Sequence, residues 1–205
     1  GKLGRIFHIK VNITERSASI LNSFKPPIIH LNNKGLDGDQ YEGIYCFKNN
    51  YNEYVIILAE RGGSNNNVKG ILRWGIWNIA ANKLTFSKEG LRGIFVDAPG
   101  KWSNKSTKRS LTDLYVDKKN ILWATASEDE SNYGPFYSVI YKIGTIEETN
   151  NTSPIAVFKN INVARHIHGF KLESLSGPAK NITSTHSFGT EDEEYGGVWR
   201  PINIR

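Results

Sequence analysis

Residues 42–77 hold the stretch that decides the fold. It reads Glu42-Gly-Ile-Tyr-Cys-Phe47, then Tyr54-Val-Ile-Ile-Leu-Ala-Glu60, then Gly62-Gly63, and then Gly70-Ile-Leu-Arg-Trp-Gly-Ile-Trp77. β-branched and aromatic residues fill the three longer runs, and polar or glycine-rich stretches separate them. No window shows apolar residues at the three-and-four spacing of an amphipathic helix. The stretch therefore predicts three consecutive β-strands.

Two later stretches repeat the same order of features. The second runs from Asp113-Leu-Tyr-Val116 through 121–129 to 137–143, and the third runs from Glu173-Ser-Leu175 through 182–192 to 196–204. Each unit reads acid, strand, turn, strand, acid, glycine loop, strand. Small sheets repeated around an axis are the blades of a propeller. We therefore predict an all-β, β-propeller-like single domain over 1–205 with about three to four four-stranded blades; the alternative is a compact β-sandwich.

The start of the chain resembles the second half of a unit. Gly4–Val11 matches the third strand of a blade, and Ser17–Phe24 would be the fourth. Because a propeller protects its sheet edges by closing into a ring, a half-blade at one end predicts a partial ring. We therefore expect that residues precede Gly1 in the natural protein, or that another chain completes the ring.

Composition excludes several classes of protein. The chain has 205 residues, a formal net charge of +6 and a single cysteine, Cys46, so it has neither an internal disulfide framework nor a multi-cysteine zinc site. No apolar run reaches the length of a membrane helix, and we expect no membrane partner. The densest basic stretch, Lys101–Arg109, contains one aromatic residue and reads as a loop, so we expect no nucleic-acid partner.

Acidic residues recur at equivalent points of the three units. They begin the units and follow the second strands, and in a radial repeat such points converge at one end of the axis. Converging carboxylates supply the oxygen ligands that Ca²⁺ prefers. The predicted metal ligands are Glu42, Glu60, Asp113, Glu173, Glu191 and Asp192, with Glu128 and Asp129 at the same kind of position. The alternative is that each acid is a separate surface charge or turn residue.

Two pairs of motifs resemble a known family. Asp39-Gln-Tyr-Glu42-Gly-Ile44 with Ala59-Glu60-Arg61, and Lys171-Leu-Glu173-Ser-Leu175 with 188–197, are similar to the repeat unit of β-propeller phytases, the esterase-like phytase group and their uncharacterised bacterial relatives. The resemblance implies a Ca²⁺-loaded propeller, secreted or periplasmic, that hydrolyses phosphate esters. It also implies that Arg61 and Lys171 bind phosphate. The chain departs from the family because it is too short for six blades.

Three aromatic or imidazole side chains are candidate ligand contacts. His166 and His168 lie two residues apart, so both rings are expected on one face of a strand. Trp102 lies in the basic loop and is expected to be exposed, where it would stack on a sugar or a base. The remaining tryptophans, Trp74, Trp77, Trp123 and Trp199, are expected in the core, as is Cys46.

These features leave two classes of function open. The first is a non-catalytic binding propeller whose acidic mouth takes a small anionic or glycan ligand. The second is a Ca²⁺-dependent phosphoester hydrolase, in which the metal offsets the charge of the substrate and Arg61 contacts the phosphate. We favour the binding module, because an incomplete ring would lack part of a catalytic ligand set.

Overall fold

A computed structural model describes residues 5–26, 40–63, 68–128, 130–148 and 153–204. The prediction of an all-β protein is confirmed, since these residues form fifteen strands, one short helix, α1 (Lys88–Arg92), and one 3-10 turn, Glu193–Tyr195. The strands build four antiparallel sheets, which we number I to IV in chain order. In the described part of the chain, no helix is long and apolar enough to span a lipid bilayer.

The sheets follow one another along the sequence, and up to four consecutive strands of each sheet pair as a meander. Sheet I is the hairpin β1 (Ile6–Asn12) and β2 (Ser17–Phe24). Sheet II contains β3 (Tyr41–Lys48), β4 (Tyr54–Glu60), β5 (Gly70–Asn78), β6 (Lys83–Phe86) and β7 (Ile94–Val96). Sheet III contains β8 (Lys108–Val116), β9 (Ile121–Glu128), β10 (Tyr137–Ile146), β11 (Ile155–Val157) and β12 (Val163–His168). Sheet IV contains β13 (Leu172–Ser176), β14 (His186–Thr190) and β15 (Trp199–Ile202).

The three repeated stretches of the sequence are the first three strands of sheets II, III and IV. Their order and pairing agree with the prediction, and so does the hairpin formed by 6–24. β7 and β12 add short segments to the third strands β5 and β10, on the side where β6 and β11 also pair.

The connection between the first and second strands is the same turn in sheets II and III. The side-chain oxygen Oδ1 of Asn49 accepts hydrogen bonds from the backbone N–H groups of Tyr51 and Glu53. Oδ1 of Asp117 accepts from Lys119 and Ile121 in the same way. The fourth residue of each turn, Asn52 or Asn120, has a positive φ, which asparagine tolerates better than most residues.

A second turn type is shared by sheets I and II. Oδ1 of Asn12 accepts from the N–H of Glu15, and Oδ1 of Asn78 accepts from the N–H of Ala81. Both turns then place a residue at positive φ, Arg16 at 50° and Asn82 at 49°. The hairpin β1–β2 is thus the structural counterpart of β5–β6, the third and fourth strands of sheet II.

The four sheets stack face to face in chain order. Three clusters of buried side chains lie between them, the first between sheets I and II around Trp77, the second between sheets II and III around Leu72 and Tyr141, and the third between sheets III and IV around Trp123 and Phe188. The first strands of neighbouring sheets also meet, β3 against β8 and β8 against β13. Sheets II and III are therefore covered on both faces, and their strands β4 and β9 are buried along most of their length.

Buried hydroxyl groups join sheet IV to sheet III. The carbonyl oxygen of Leu172 accepts hydrogen bonds from the hydroxyls of Thr112 and Ser127, each at 2.8 Å. The Ser138 hydroxyl lies 2.9 Å from that of Ser127 and accepts from the N–H of Leu172 at 3.1 Å. Because buried polar groups are costly unless paired, this network fixes the position of β13 on the face of sheet III.

Two side chains that we expected in the core are exposed. Cys46 is exposed because, among the described residues, the two strands of sheet I cover β4–β6 but not Ile44 and Cys46 of β3. Trp199 is 52% exposed because β15 places it on the outer face of sheet IV, against which no other described sheet packs. The expectation was correct for Trp74, Trp77 and Trp123, which are buried.

Candidate functional site

Each predicted acidic ligand is placed by the strand that carries it. Glu42 sits in a bulge of β3, because Tyr41 pairs with Glu60 and Gly43 pairs with Ala59. Its carboxylate forms an ion pair with Arg61 at 2.9 Å. Burial raises the pKa of Glu42, and the charge of Arg61 partly offsets that effect. Arg61, the predicted phosphate contact, is thus engaged by a neighbouring carboxylate.

Glu60 ends β4 and is buried together with a cation. Its carboxylate lies 3.5 Å from the guanidinium of Arg73, and the two side chains are only 1% and 3% exposed. Arg73 also donates to the carbonyl oxygen of Leu91 at the end of α1. A buried ion pair of this kind depends strongly on both partners being present.

Asp113 lies deeper in sheet III than the sequence repeat suggested. It pairs with Thr125, three residues before Glu128 on β9, whereas Glu128 pairs with Lys108 at the start of β8. The Asp113 carboxylate accepts a hydrogen bond from the backbone N–H of Leu175 at 2.8 Å. Burial raises its pKa to about 6, against an ordinary value of 3.8.

The acids of sheet IV surround Lys171. Its ammonium group forms an ion pair with Glu193 and lies 3.9 Å from Glu173. Asp192 accepts a hydrogen bond from the backbone N–H of Lys171 at 2.8 Å, and Glu191 is exposed. Glu173 sits in a bulge of β13, between Leu172 and Ser174, that matches the bulge at Glu42. Lys171 is thus held by carboxylates in the same way as Arg61.

The predicted metal ligands are therefore distributed over sheets II, III and IV, and Glu42, Glu60, Asp113, Glu173 and Asp192 each contact a basic side chain or a backbone N–H group. Among the described residues, no group of three or more His, Cys, Asp or Glu side chains is arranged to hold a metal ion. Asp39 and Asp129 lie outside the described residues. The calcium site stays a prediction.

Two of the three predicted ligand-contact residues, His166 and His168, line an open cleft beside sheet III. Its volume is about 640 Å³, and it is lined by Lys101, Ser103, Glu128, Glu130, Pro135, Phe136, Tyr137, His166 and His168. The walls are the loop that follows β7, the connection between β9 and β10, and the edge strand β12. The cleft thus combines rings, two carboxylates and an ammonium group in one concave surface.

Tyr137 is at the centre of this cleft. It pairs with His168 across β10 and β12, and its ring centroid lies 5.2 Å from that of His168 and 6.0 Å from that of His166. The phenolic oxygen lies 2.7 Å from Nδ1 of His166. Burial raises the pKa of Tyr137, so the phenol is protonated at neutral pH. As predicted, the two histidines share one face of a strand.

Trp102 supports Tyr137 and is half-buried, so the expectation that it is exposed was wrong. The indole contacts the Tyr137 ring edge-on, with centroids 5.1 Å apart, and its Nε1–H donates to the carbonyl oxygen of Ala98 at 3.1 Å. Lys108 and Arg109, which we placed in the basic loop, begin β8. Lys108 forms an ion pair with Asp97, and Arg109 donates to the carbonyl oxygen of Gly63.

Glu128 fixes the loop that forms one wall of the cleft. Its Oε1 accepts hydrogen bonds from the backbone N–H groups of Ser103 and Asn104, at 2.7 and 3.2 Å, and from the Ser103 hydroxyl. Glu128 is buried, whereas Glu130 and Lys101 at the same cleft are exposed. Three residues of the cleft were not predicted as ligand contacts from the sequence: Tyr137, Glu130 and Lys101. The alternation of Tyr137 with Val139 and Tyr141 indicates that these three side chains share one face of β10. It does not indicate that β10 pairs with β12.

Comparison of the chain with protein-family models, with curated proteins and with solved structures finds no match. The resemblance to β-propeller phytases therefore stays a prediction.

Proposed function

We propose that this protein is a non-catalytic binding module that holds a glycan in the cleft around Tyr137. The observation that carries the proposal is the convergence of Tyr137, His166 and His168 on one concave surface with exposed Glu130 and Lys101. Sugar rings present an apolar face that packs on aromatic rings, and their hydroxyls bond to carboxylates, amines and imidazoles. The cleft offers both kinds of group.

The size and shape of the cleft favour a short saccharide. A volume of about 640 Å³ lies within the range of small-molecule sites. The cleft is open to solvent, and its lining includes the buried ring of Phe136. Since Glu128 is already bonded to the 103–104 loop, it acts as a positioning group and not as an acid catalyst.

We also infer that sheets I to IV are consecutive blades of a propeller-like stack. Three features support this architecture: the meander order within each sheet, the face-to-face packing, and the contacts between the first strands β3, β8 and β13. The shared turns at Asn49 and Asp117 add a structural repeat. In such a stack the cleft lies at the end of one blade, where neighbouring loops meet.

The experiment is a saturation-transfer NMR screen of glucose, galactose, mannose, N-acetylglucosamine and glucuronic acid, with their disaccharides. We expect transfer from at least one of these sugars, and we expect Tyr137→Ala to reduce it at least tenfold. Tyr51→Ala is the matched control, because Tyr51 is an exposed tyrosine on the β3–β4 turn of sheet II. Absence of transfer from every sugar, or equal transfer to the Tyr137→Ala protein, would contradict the proposal.

A further inference from the structure

The outer face of sheet I is apolar, and no other sheet of the described part of the chain packs against it. Ile6 and His8 of β1 point toward sheet II, where His8 contacts the ring of Trp77. The alternate residues of β1 lie on the other side of that strand, where Phe7 and Ile9 also line a cleft with Tyr41 and Ile44 of sheet II. These alternate residues are Phe7, Ile9 and Val11, joined by Ile20 of β2, and their exposed fractions lie between 49% and 65%. Strands with apolar residues on both faces are typical of sheets that are covered on both faces.

The structural repeat shows which kind of surface covers this face. Because the turns at Asn12 and Asn78 correspond, Val11 of sheet I occupies the position of Trp77 in sheet II. Trp77 is buried under the preceding sheet. The face that carries Val11 is therefore the face that a preceding sheet would cover.

The other end of the stack presents a complementary surface. Leu175 and Phe188 of sheet IV point toward sheet III. The opposite face is formed by small residues, Ser174 and Gly189, with the exposed Trp199 beside them. The small side chains at Ser174 and Gly189 leave room on this face for the larger side chains of sheet I.

The charges of the two ends are opposite in sign. Residues 5–26 carry four Lys or Arg side chains and one Glu, whereas residues 171–204 carry three Lys or Arg and five Asp or Glu. The exposed charges include Arg5, Lys10 and Arg16 at sheet I, and Glu191 and Glu194 at sheet IV. Complementary potentials favour encounter of the two ends and disfavour contact between two like ends.

We propose that sheet IV of a second copy of this chain covers the outer face of sheet I. The contact is heterologous, because it joins two different surfaces. It continues the same face-to-face packing that joins sheets I, II, III and IV within one chain. If the rotation between copies closes, the product is a ring of fixed mass, and otherwise it is an open chain.

The test is sedimentation velocity of the full chain from low to high micromolar concentration. We expect the wild-type protein to assemble, and we expect added salt to weaken the assembly. Val11→Glu, on the exposed face of sheet I, should reduce the association constant at least tenfold. Phe95→Glu is the matched control, because Phe95 is a similarly exposed strand residue on β7 of sheet II. Circular dichroism confirms that each variant is folded.

A mixing experiment separates the proposed contact from contacts between like ends. Ser174→Glu blocks sheet IV and leaves sheet I intact, whereas Val11→Glu does the reverse. Each variant alone should be monomeric, and their mixture should form a one-to-one dimer through the two intact surfaces. The proposal is overturned by a monomeric wild-type protein at every concentration, by normal assembly of Val11→Glu, or by failure of the mixture to associate. Capture of a different protein by monomeric chains would also overturn it.

Discussion

The carboxylate of Asp113 on β8 accepts a hydrogen bond from the backbone N–H of Leu175 on β13, 2.8 Å away, and thereby links sheet III to sheet IV. Burial raises the pKa of Asp113 to about 6 in the folded protein. An ionisable group thus lies at a contact between two sheets, where its charge is unfavourable once it forms.

Asp113 should make the protein less stable as the pH rises from about 4 to about 6. In that interval the folded protein binds a proton that the unfolded chain has released, so the free energy of unfolding falls with increasing pH. Asp113→Asn keeps an oxygen acceptor for Leu175 but cannot ionise. We expect the variant to be more stable than the wild type above pH 6, as measured by urea unfolding.

The difference between the two proteins isolates Asp113, since His186 acts in the opposite direction. Burial lowers the pKa of His186, so this group makes the folded protein less stable as the pH falls below about 6.5. Equal pH dependence in the wild type and in Asp113→Asn would show that Asp113 does not titrate in this range.

The two hydroxyls that share the Leu172 carbonyl oxygen should act as a unit. Thr112→Val or Ser127→Ala alone leaves that oxygen with one donor, whereas the double variant leaves it with neither. We expect each single change to lower the free energy of unfolding by about 1 kcal/mol and the double change to cost more than the sum. A double-mutant cycle by urea unfolding measures this coupling. Strict additivity would argue against a shared network.

Glu128 should control the cleft through the loop that it holds. Glu128→Ala removes the acceptor of Ser103 and Asn104 and should lower the free energy of unfolding by about 2 kcal/mol, with loss of saccharide binding. Glu128→Gln keeps one acceptor oxygen and should retain most of both properties. The measurements are thermal unfolding and the NMR screen. Full saccharide binding by a destabilised Glu128→Ala protein would show that binding does not require Glu128 to hold the 103–104 loop.

The calcium prediction is tested at Glu60. If the predicted site exists, millimolar Ca²⁺ raises the melting temperature of the wild type, chelator lowers it, and Glu60→Gln abolishes the shift. Independently of calcium, Glu60→Gln should cost about 3 kcal/mol, because it removes the buried negative charge that lies 3.5 Å from the guanidinium of Arg73. Turnover of a generic phosphate ester with Ca²⁺ present tests the hydrolase alternative. An unchanged calcium shift in the variant would exclude Glu60 from the site.

Most of the strands and their order could be predicted from the sequence, because alternation and turn residues are local signals. The 121–128 and 137–143 runs were both identified as strands. The exposure of a side chain was less predictable on faces that no other described sheet covers. Nothing within β3 or β15 signals that Cys46 and Trp199 lack a covering strand, since burial on an outer face depends on what packs against it.

The cleft was predicted only in part. The spacing of His166 and His168 correctly placed both rings on one face, because the two-residue period of a strand is fixed by geometry. Their pairing with Tyr137 depends on the register between β10 and β12, which no local signal determines. For the acidic residues, in contrast, the spacing along the chain gave the wrong alignment. Counting along the chain aligned Asp113 with Glu42, whereas the wider bulge in β8 places Asp113 deeper in its sheet.

The matching turns at Asn49 and Asp117 have the same hydrogen bonds, so one loop can replace the other. Both close a hairpin with the same side-chain oxygen and the same left-handed asparagine, so transplanting 117–121 onto 49–53 changes sequence without changing backbone shape. Recombination between sheets II and III at these loops would therefore yield chains in which about one sheet is deleted or duplicated, with the same turn geometry at the junction. A single crossover between these loops would thus change the number of sheets in the protein.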